Sequence, residues 1–197
     1  MLGHTHALFG ITTLAVVQTG VARVGYEFMQ PHPAGPHELP LGLALCAGAS
    51  IVGALLPDLD AEDSTIQRDL GWLGVLTKAG LKLLGVKHRG VLHSGLAAIV
   101  VFVLGALMGG WWGYPDVGLA LGLGYFSHVA LADAMTISGV PLFWPAKRRF
   151  HLLPRLLRVR TGGAVENLVF LAAAVLLGWL LPDLVTENLH LIQPRLL

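Results

Sequence analysis

Charge is what this sequence has least of. Only 13% of its residues are charged against 54% hydrophobic, and mean hydropathy is +0.68, so polar groups are too few to clothe a soluble domain of this size. Cysteine is nearly absent as well. Cys46 stands alone, which excludes an internal disulfide and a thiolate zinc site, and its place in mid-segment among apolar neighbours fits core filling. The opening residues Met1 to His6 hold no lysine or arginine, so the basic region of a cleaved leader is missing and none is expected. Internal repeats and low-complexity tracts are also lacking, which excludes a repeat array and leaves one domain over 1–197.

What the chain does contain is a series of apolar stretches close to the roughly 20 residues that cross a bilayer. Five are placed at Ala7–Ala22, Leu39–Leu56, Val91–Trp112, Val117–Met135 and Ala164–Leu181. The first is the most polar, with Thr12, Thr13, Gln18 and Thr19. From Ile66 to Leu84, Arg68, Asp69, Lys78 and Lys82 alternate with leucines and Trp72, the pattern of an amphipathic helix lying on the membrane surface. A similar mixture recurs from Lys147 to Arg160. The expected fold is all-α: a polytopic membrane bundle of about five transmembrane helices plus interfacial amphipathic helices.

Basic residues orient the bundle. With five spans, the N-terminus and the loops Pro57–Gly90 and Thr136–Gly163 share one side, and they carry 11 of the 13 lysines and arginines; only Arg23 and Arg195 lie opposite. That side is expected to be cytoplasmic and the C-terminus outside. Membrane lipids are the expected partners, and no nucleic acid is.

Ionisable residues beside spanning helices are costly and point to function. His6 opens the first span, Asp58 and Asp60 close the second, His88 and His93 open the third, His128 and Asp133 approach the same side in the fourth, and Glu166 starts the fifth. All map to the side that the basic residues mark, although the charge count did not use them. Imidazole and carboxylate together suit zinc, manganese or iron better than calcium. His6, Asp58, Asp60, His88, His93, His128 and Asp133 are therefore the expected ligands of one to three divalent ions, zinc foremost. His32, His37, His151 and His190 are expected to be solvated, and His6 is preferred over His4 for its spacing to Gly10.

These residues also carry a resemblance. His6 with Gly10, Leu-Pro-Asp-Leu-Asp at 56–60, His-Arg-Gly-x-x-His-Ser at 88–94, and the Ser127-His128, Asp133, Thr136 series resemble, in order and spacing, the bacterial YdjM-type family. The resemblance implies an inner-membrane, metal-dependent hydrolase, and more remotely a likeness to zinc-dependent phospholipase C and P1-type nuclease. Leu92 stands where that family's pattern has threonine. His128 and Asp133 are five residues apart where the pattern has four, a turn of about 140° beyond a full circle in a regular α-helix. If both face the site, the helix is expected to carry a π-bulge or unwind between them.

The expected function is hydrolysis of a phosphoester in a lipid or other amphiphile. Asp58 or Asp60 would bridge ions or take the proton of a metal-activated water, and Arg89 would hold a phosphate oxygen. Glu166 would act as base or support a ligand, and Ser94 and Thr136 would contact substrate. A metal transporter or sensor, and a scaffold stapled by a structural metal, are the alternatives; the cluster's place at one face rather than at the midplane favours the enzyme.

Overall fold

A computed structural model describes residues 1–22, 38–61, 64–83 and 89–190. The elements are α1 (Gly3–Ala22), α2 (Glu38–Leu55), α3 (Thr65–Leu70), α4 (Trp72–Leu83), α5 (Gly95–Trp111), α6 (Pro115–Phe126) and α7 (Ala164–His190). The fold is all-helical. Among the described residues four helical stretches are long and apolar enough to cross a membrane: Gly3–Ala22, Gly42–Asp60, Pro115–Met135 and Ala164–Leu184. The fifth expected span, α5, is shorter at 17 residues. Its start is displaced to Gly95 because residues 91–93 form a 3-10 turn and the Ser94 hydroxyl caps the helix, accepting from Ala97 N at 3.1 Å.

The polar residues of α1 turn inward. Thr12, Gln18 and Thr19 are buried, and Thr19 Oγ1 donates to the Ala15 carbonyl at 2.9 Å, as polar groups inside a membrane bundle must find partners within the protein. The chain from Pro115 onward is the central element, packing against α1, α2 and α5, while α7 lies chiefly against α1. Close approach of backbones makes this packing possible. A Cβ at Gly124 would run into the carbonyl oxygen of Ser50 on α2, and one at Gly118 would meet the carbonyl of Gly105 on α5. Small residues at membrane helix interfaces serve this purpose.

Two expectations about the surface segments change. The amphipathic stretch 66–84 is not one helix; it breaks at Gly71, whose φ of +55° admits glycine and few other residues, giving α3 and α4. Trp72, Val75 and Leu83 are exposed, consistent with burial in an interface. The basic stretch 147–160 is extended chain with a single 3-10 turn at Arg155–Leu157. It is held by pairing distant in sequence: Thr136 bridges Val159 and Val140 bridges Phe150, with Val140 and Val159 fully buried. Such pairing leaves no helical period for the sequence to advertise.

Candidate metal centre

The ends of four elements meet at one end of the bundle. His6 comes from the first turns of α1. Asp58 and Asp60 come from the 3-10 turn Leu56–Asp60 that follows α2, where Pro57 cannot donate and so ends the α-helical ladder. His93 lies in the 3-10 turn before α5, pinned where the Tyr125 hydroxyl donates to the Leu92 carbonyl at 2.5 Å. His128 and Asp133 come from the far end of the α6 span.

That span is irregular where the spacing requires it. α6 gives way to a π-helix over Ser127–Ala132 and then to a 3-10 turn over Asp133–Met135. A π turn closes i to i+5, so five steps bring His128 and Asp133 back to nearly the same face. The expected bulge is present.

Both side chains point inward and are buried. Asp133 divides its oxygens. Oδ1 lies 3.6 Å from His6 Nε2 and 3.5 Å from the Met1 amino group, whereas Oδ2 lies 3.6 Å from His93 Nε2, 3.8 Å from His128 Nε2 and 3.5 Å from Arg89 Nη2. Asp58 Oδ1 is 3.5 Å from His93 Nε2 and 3.7 Å from His128 Nε2. Two overlapping groups result, His6–His128–Asp133 and Asp58–His93–His128.

The carboxylate-to-imidazole separations are informative because they are longer than good hydrogen bonds. They approach the edge of a coordination polyhedron: ligands at 2.0–2.2 Å around a tetrahedral ion sit about 3.3–3.6 Å from one another. The imidazole of His128 is oriented for this. Its Nδ1 lies 2.7 Å from the Ala54 carbonyl, so Nδ1 carries the proton and Nε2 presents its lone pair to the carboxylates. His128 Nε2 and Asp133 Oδ2 are buried with no hydrogen bond among the described residues. Arg89 and the Met1 amino group balance charge on Asp133, while the imidazole nitrogens that face the Asp58 and Asp133 oxygens leave a place for a further cation between them. The donor set fits a divalent metal.

Asp60 occupies a different position. Its Oδ2 faces the other ring nitrogen of His93, Nδ1, at 3.9 Å, on the side away from Asp58. A carboxylate behind a metal-binding histidine can set its tautomer and orientation, although at 3.9 Å the two atoms stand beyond hydrogen-bond reach in this structure. His88 lies outside the described residues. His4 is turned away, its ring packed edge-on to Phe170 with centroids 5.4 Å apart, whereas His6 stacks on His128 at 3.8 Å.

The remaining expected residues divide. Arg89 borders the centre, its backbone at a φ of +53° that costs a non-glycine residue about 1–2 kcal/mol. Its Nη1 donates to Thr136 Oγ1 at 3.2 Å, and Arg149 Nη1 donates to the Arg89 carbonyl at 3.3 Å. Strain retained at such a place is a mark of function. Thr136 donates its hydroxyl hydrogen to the Asp133 carbonyl at 2.7 Å, and Ser94 donates its own to Val91 O at 2.6 Å. Both hydroxyl hydrogens are thus engaged by the local backbone. Glu166 is buried outside both groups; its oxygens accept from Leu2 N at 2.6 Å and Gly162 N at 2.7 Å, so it ties the start of α1 to the end of the basic loop. Sequence reasoning missed Ala54 and Arg149. A backbone carbonyl leaves no signal in sequence, and Arg149 was one arginine among several.

Comparison with known proteins places the chain. The family described as YdjM inner membrane protein matches residues 1–185. The inner membrane protein YdjM of Escherichia coli (strain K12) is 34% identical over 142 residues, covering 71% of this chain and 68% of that protein. The protein of the same name from Shigella flexneri matches equally. No solved structure matches. With a family match over nearly its whole length, helices suited to spanning and the described histidines and aspartates of the motif gathered at one end, this chain belongs to the YdjM family of inner membrane proteins.

Proposed function

We propose that this protein is a membrane-bound, metal-dependent hydrolase that cleaves a phosphoester of a lipid or other amphiphile at the cytoplasmic face. The observation that carries the reading is the set of carboxylate-to-imidazole separations of 3.5–3.8 Å among Asp58, His93, His128 and Asp133. Those four residues would hold an ion, with His6 on the Oδ1 side of Asp133 and able to serve a second. Zinc suits the nitrogen-oxygen donor set. A metal bound here would supply Lewis acidity toward a phosphoryl oxygen and acidify a coordinated water.

The chain's own groups supply the rest. Asp58, with 18% of its side chain exposed where Asp60 has 2%, is the carboxylate that solvent reaches and the better placed to take a proton. Asp60 would orient His93 from behind. Arg89, also 18% exposed, presents guanidinium N–H groups beside the ligands and would bind a non-bridging phosphoryl oxygen. The basic loop that includes Arg148, Arg149 and Arg155 draws anionic headgroups toward the mouth. The near-complete burial of His93, His128 and Asp133 favours a second reading, a structural metal, against which the partial exposure of Asp58 and Arg89 argues.

The test is metal analysis of purified protein followed by incubation in mixed-lipid vesicles, measuring released headgroup or phosphate, with Asp58→Ala as control. Stoichiometric metal and release abolished by the substitution are expected. Stoichiometric metal with no release from the main phospholipids or isoprenoid phosphates would transfer the site to the structural reading.

A further inference from the structure

A groove of about 800 Å³ lies between α5 and the α6 span, lined by Leu96, Ile99, Phe102, Phe126, Phe143 and Trp144 among others, with carbon on nearly every surface. Its size is that of a ligand site rather than a packing defect. We propose that it holds one hydrocarbon tail of the lipid whose headgroup is cleaved at the metal centre. The inference rests on the hydrolase reading for what the headgroup undergoes, but the tail's occupancy stands on separate observations.

The first is location. Both walls are apolar helices in a bundle built to lie in lipid, so hydrocarbon is the material that reaches the groove. The second is direction. The roof is the segment carrying Leu142 to Trp144, which is fastened to the start of α5 where Gly95 N donates to Leu142 O at 2.9 Å. From Leu96 to Phe102 the α5 wall then descends about 9 Å into the bilayer. One end of the groove is thus level with the ligands and the other is deep, as a lipid lies. The third is a shared wall. Gly95 follows His93 by two residues, and Val129, which lines the groove, follows His128 directly. The π-helix places His128 at the metal centre and Val129, itself fully buried, in the wall of the groove, so one segment stands between headgroup chemistry and tail binding.

A second apolar recess, of about 550 Å³ on α7 and lined by Leu168, Val175 and Trp179, provides an internal comparison, since among the described residues none of α7 belongs to the metal centre. Full-length protein in vesicles containing a phospholipid with a diazirine in its acyl chain would be illuminated, digested and mapped. Adducts several-fold richer in the α5–α6 groove than on α7 are expected; equal labelling of the two would overturn the proposal. A second arm compares Ile99→Trp, which fills the groove, with Leu107→Trp, on the same helix but outside it, both original side chains being lipid-exposed. Ile99→Trp should lower kcat/KM on a long-chain phosphoester roughly tenfold while leaving a short water-soluble phosphodiester unchanged, and Leu107→Trp should alter neither. Equal loss on both substrates would count against tail binding. Groove labelling in a protein that hydrolyses no phosphoester would support the lipid site and refute the hydrolase.

Discussion

At the residue scale, the two aspartates of Leu-Pro-Asp-Leu-Asp separate in role. Asp58 Oδ1 faces the Nε2 atoms of both His93 and His128, whereas Asp60 faces His93 Nδ1 from behind. Asp58→Ala is therefore expected to strip the bound metal, and Asp60→Asn to weaken it by about 10–100-fold while keeping the site assembled. Titration of metal affinity in the two purified variants checks this; equal affinities would collapse the distinction. The sequence placed both aspartates at the site, but nothing in a two-residue spacing tells which of a pair of carboxylates meets the metal and which stands behind a histidine. Glu166 shows the same limit from the other direction: its position at the start of a span looked catalytic, yet the Leu2 and Gly162 amides occupy its oxygens. Charges buried for anchoring and charges buried for chemistry look alike until their partners are known.

At the element scale, an irregularity in the α6 span brings its two site residues together. The five-residue interval between His128 and Asp133 was legible in the sequence as a conflict with helical period, and the π-helix over Ser127–Ala132 resolves it. Deleting Ala130 shortens the interval to four, which a regular α-helix accommodates on one face. The deletion variant is expected to retain metal within about tenfold of the parent affinity, since four-residue spacing also converges. Metal lost from a folded deletion variant would mean that the bulge does more than restore phase. Packing between spans was far less legible. Gly124 reads in sequence as one of several glycines in an apolar segment, and only the position of the Ser50 carbonyl shows why a side chain is excluded. Gly124→Leu should destabilise the bundle by about 1–3 kcal/mol, seen as a lower midpoint of thermal unfolding in detergent, whereas Gly110→Leu, facing open space at the far end of α5, should change it little.

At the scale of the whole molecule, the question is which way the bundle stands in the membrane. The metal-centre residues come from the start of α1, the turns after α2 and before α5, and the end of the α6 span, so they share one end of the bundle whatever its orientation. The basic residues lie at that same end: Arg68, Lys78 and Lys82 on α3 and α4, and Arg148 to Arg160 in the loop before α7. Lysine and arginine are retained on the cytoplasmic side during insertion, so the metal centre should open to the cytoplasm. The count of crossings then fixes the far terminus. α5 spans about 25 Å at 1.5 Å per residue, less than the roughly 30 Å of a hydrocarbon core. Trp111 and Trp112 at its end are both exposed and suited to the interface, and with them α5 is expected to make the fifth crossing. A phosphatase reporter, active only outside, fused at the C-terminus should be active, and the same reporter inserted after Arg160 should be silent. An inactive C-terminal fusion would mean that one of the five crossings is not made, the most polar span, α1, being the first to suspect.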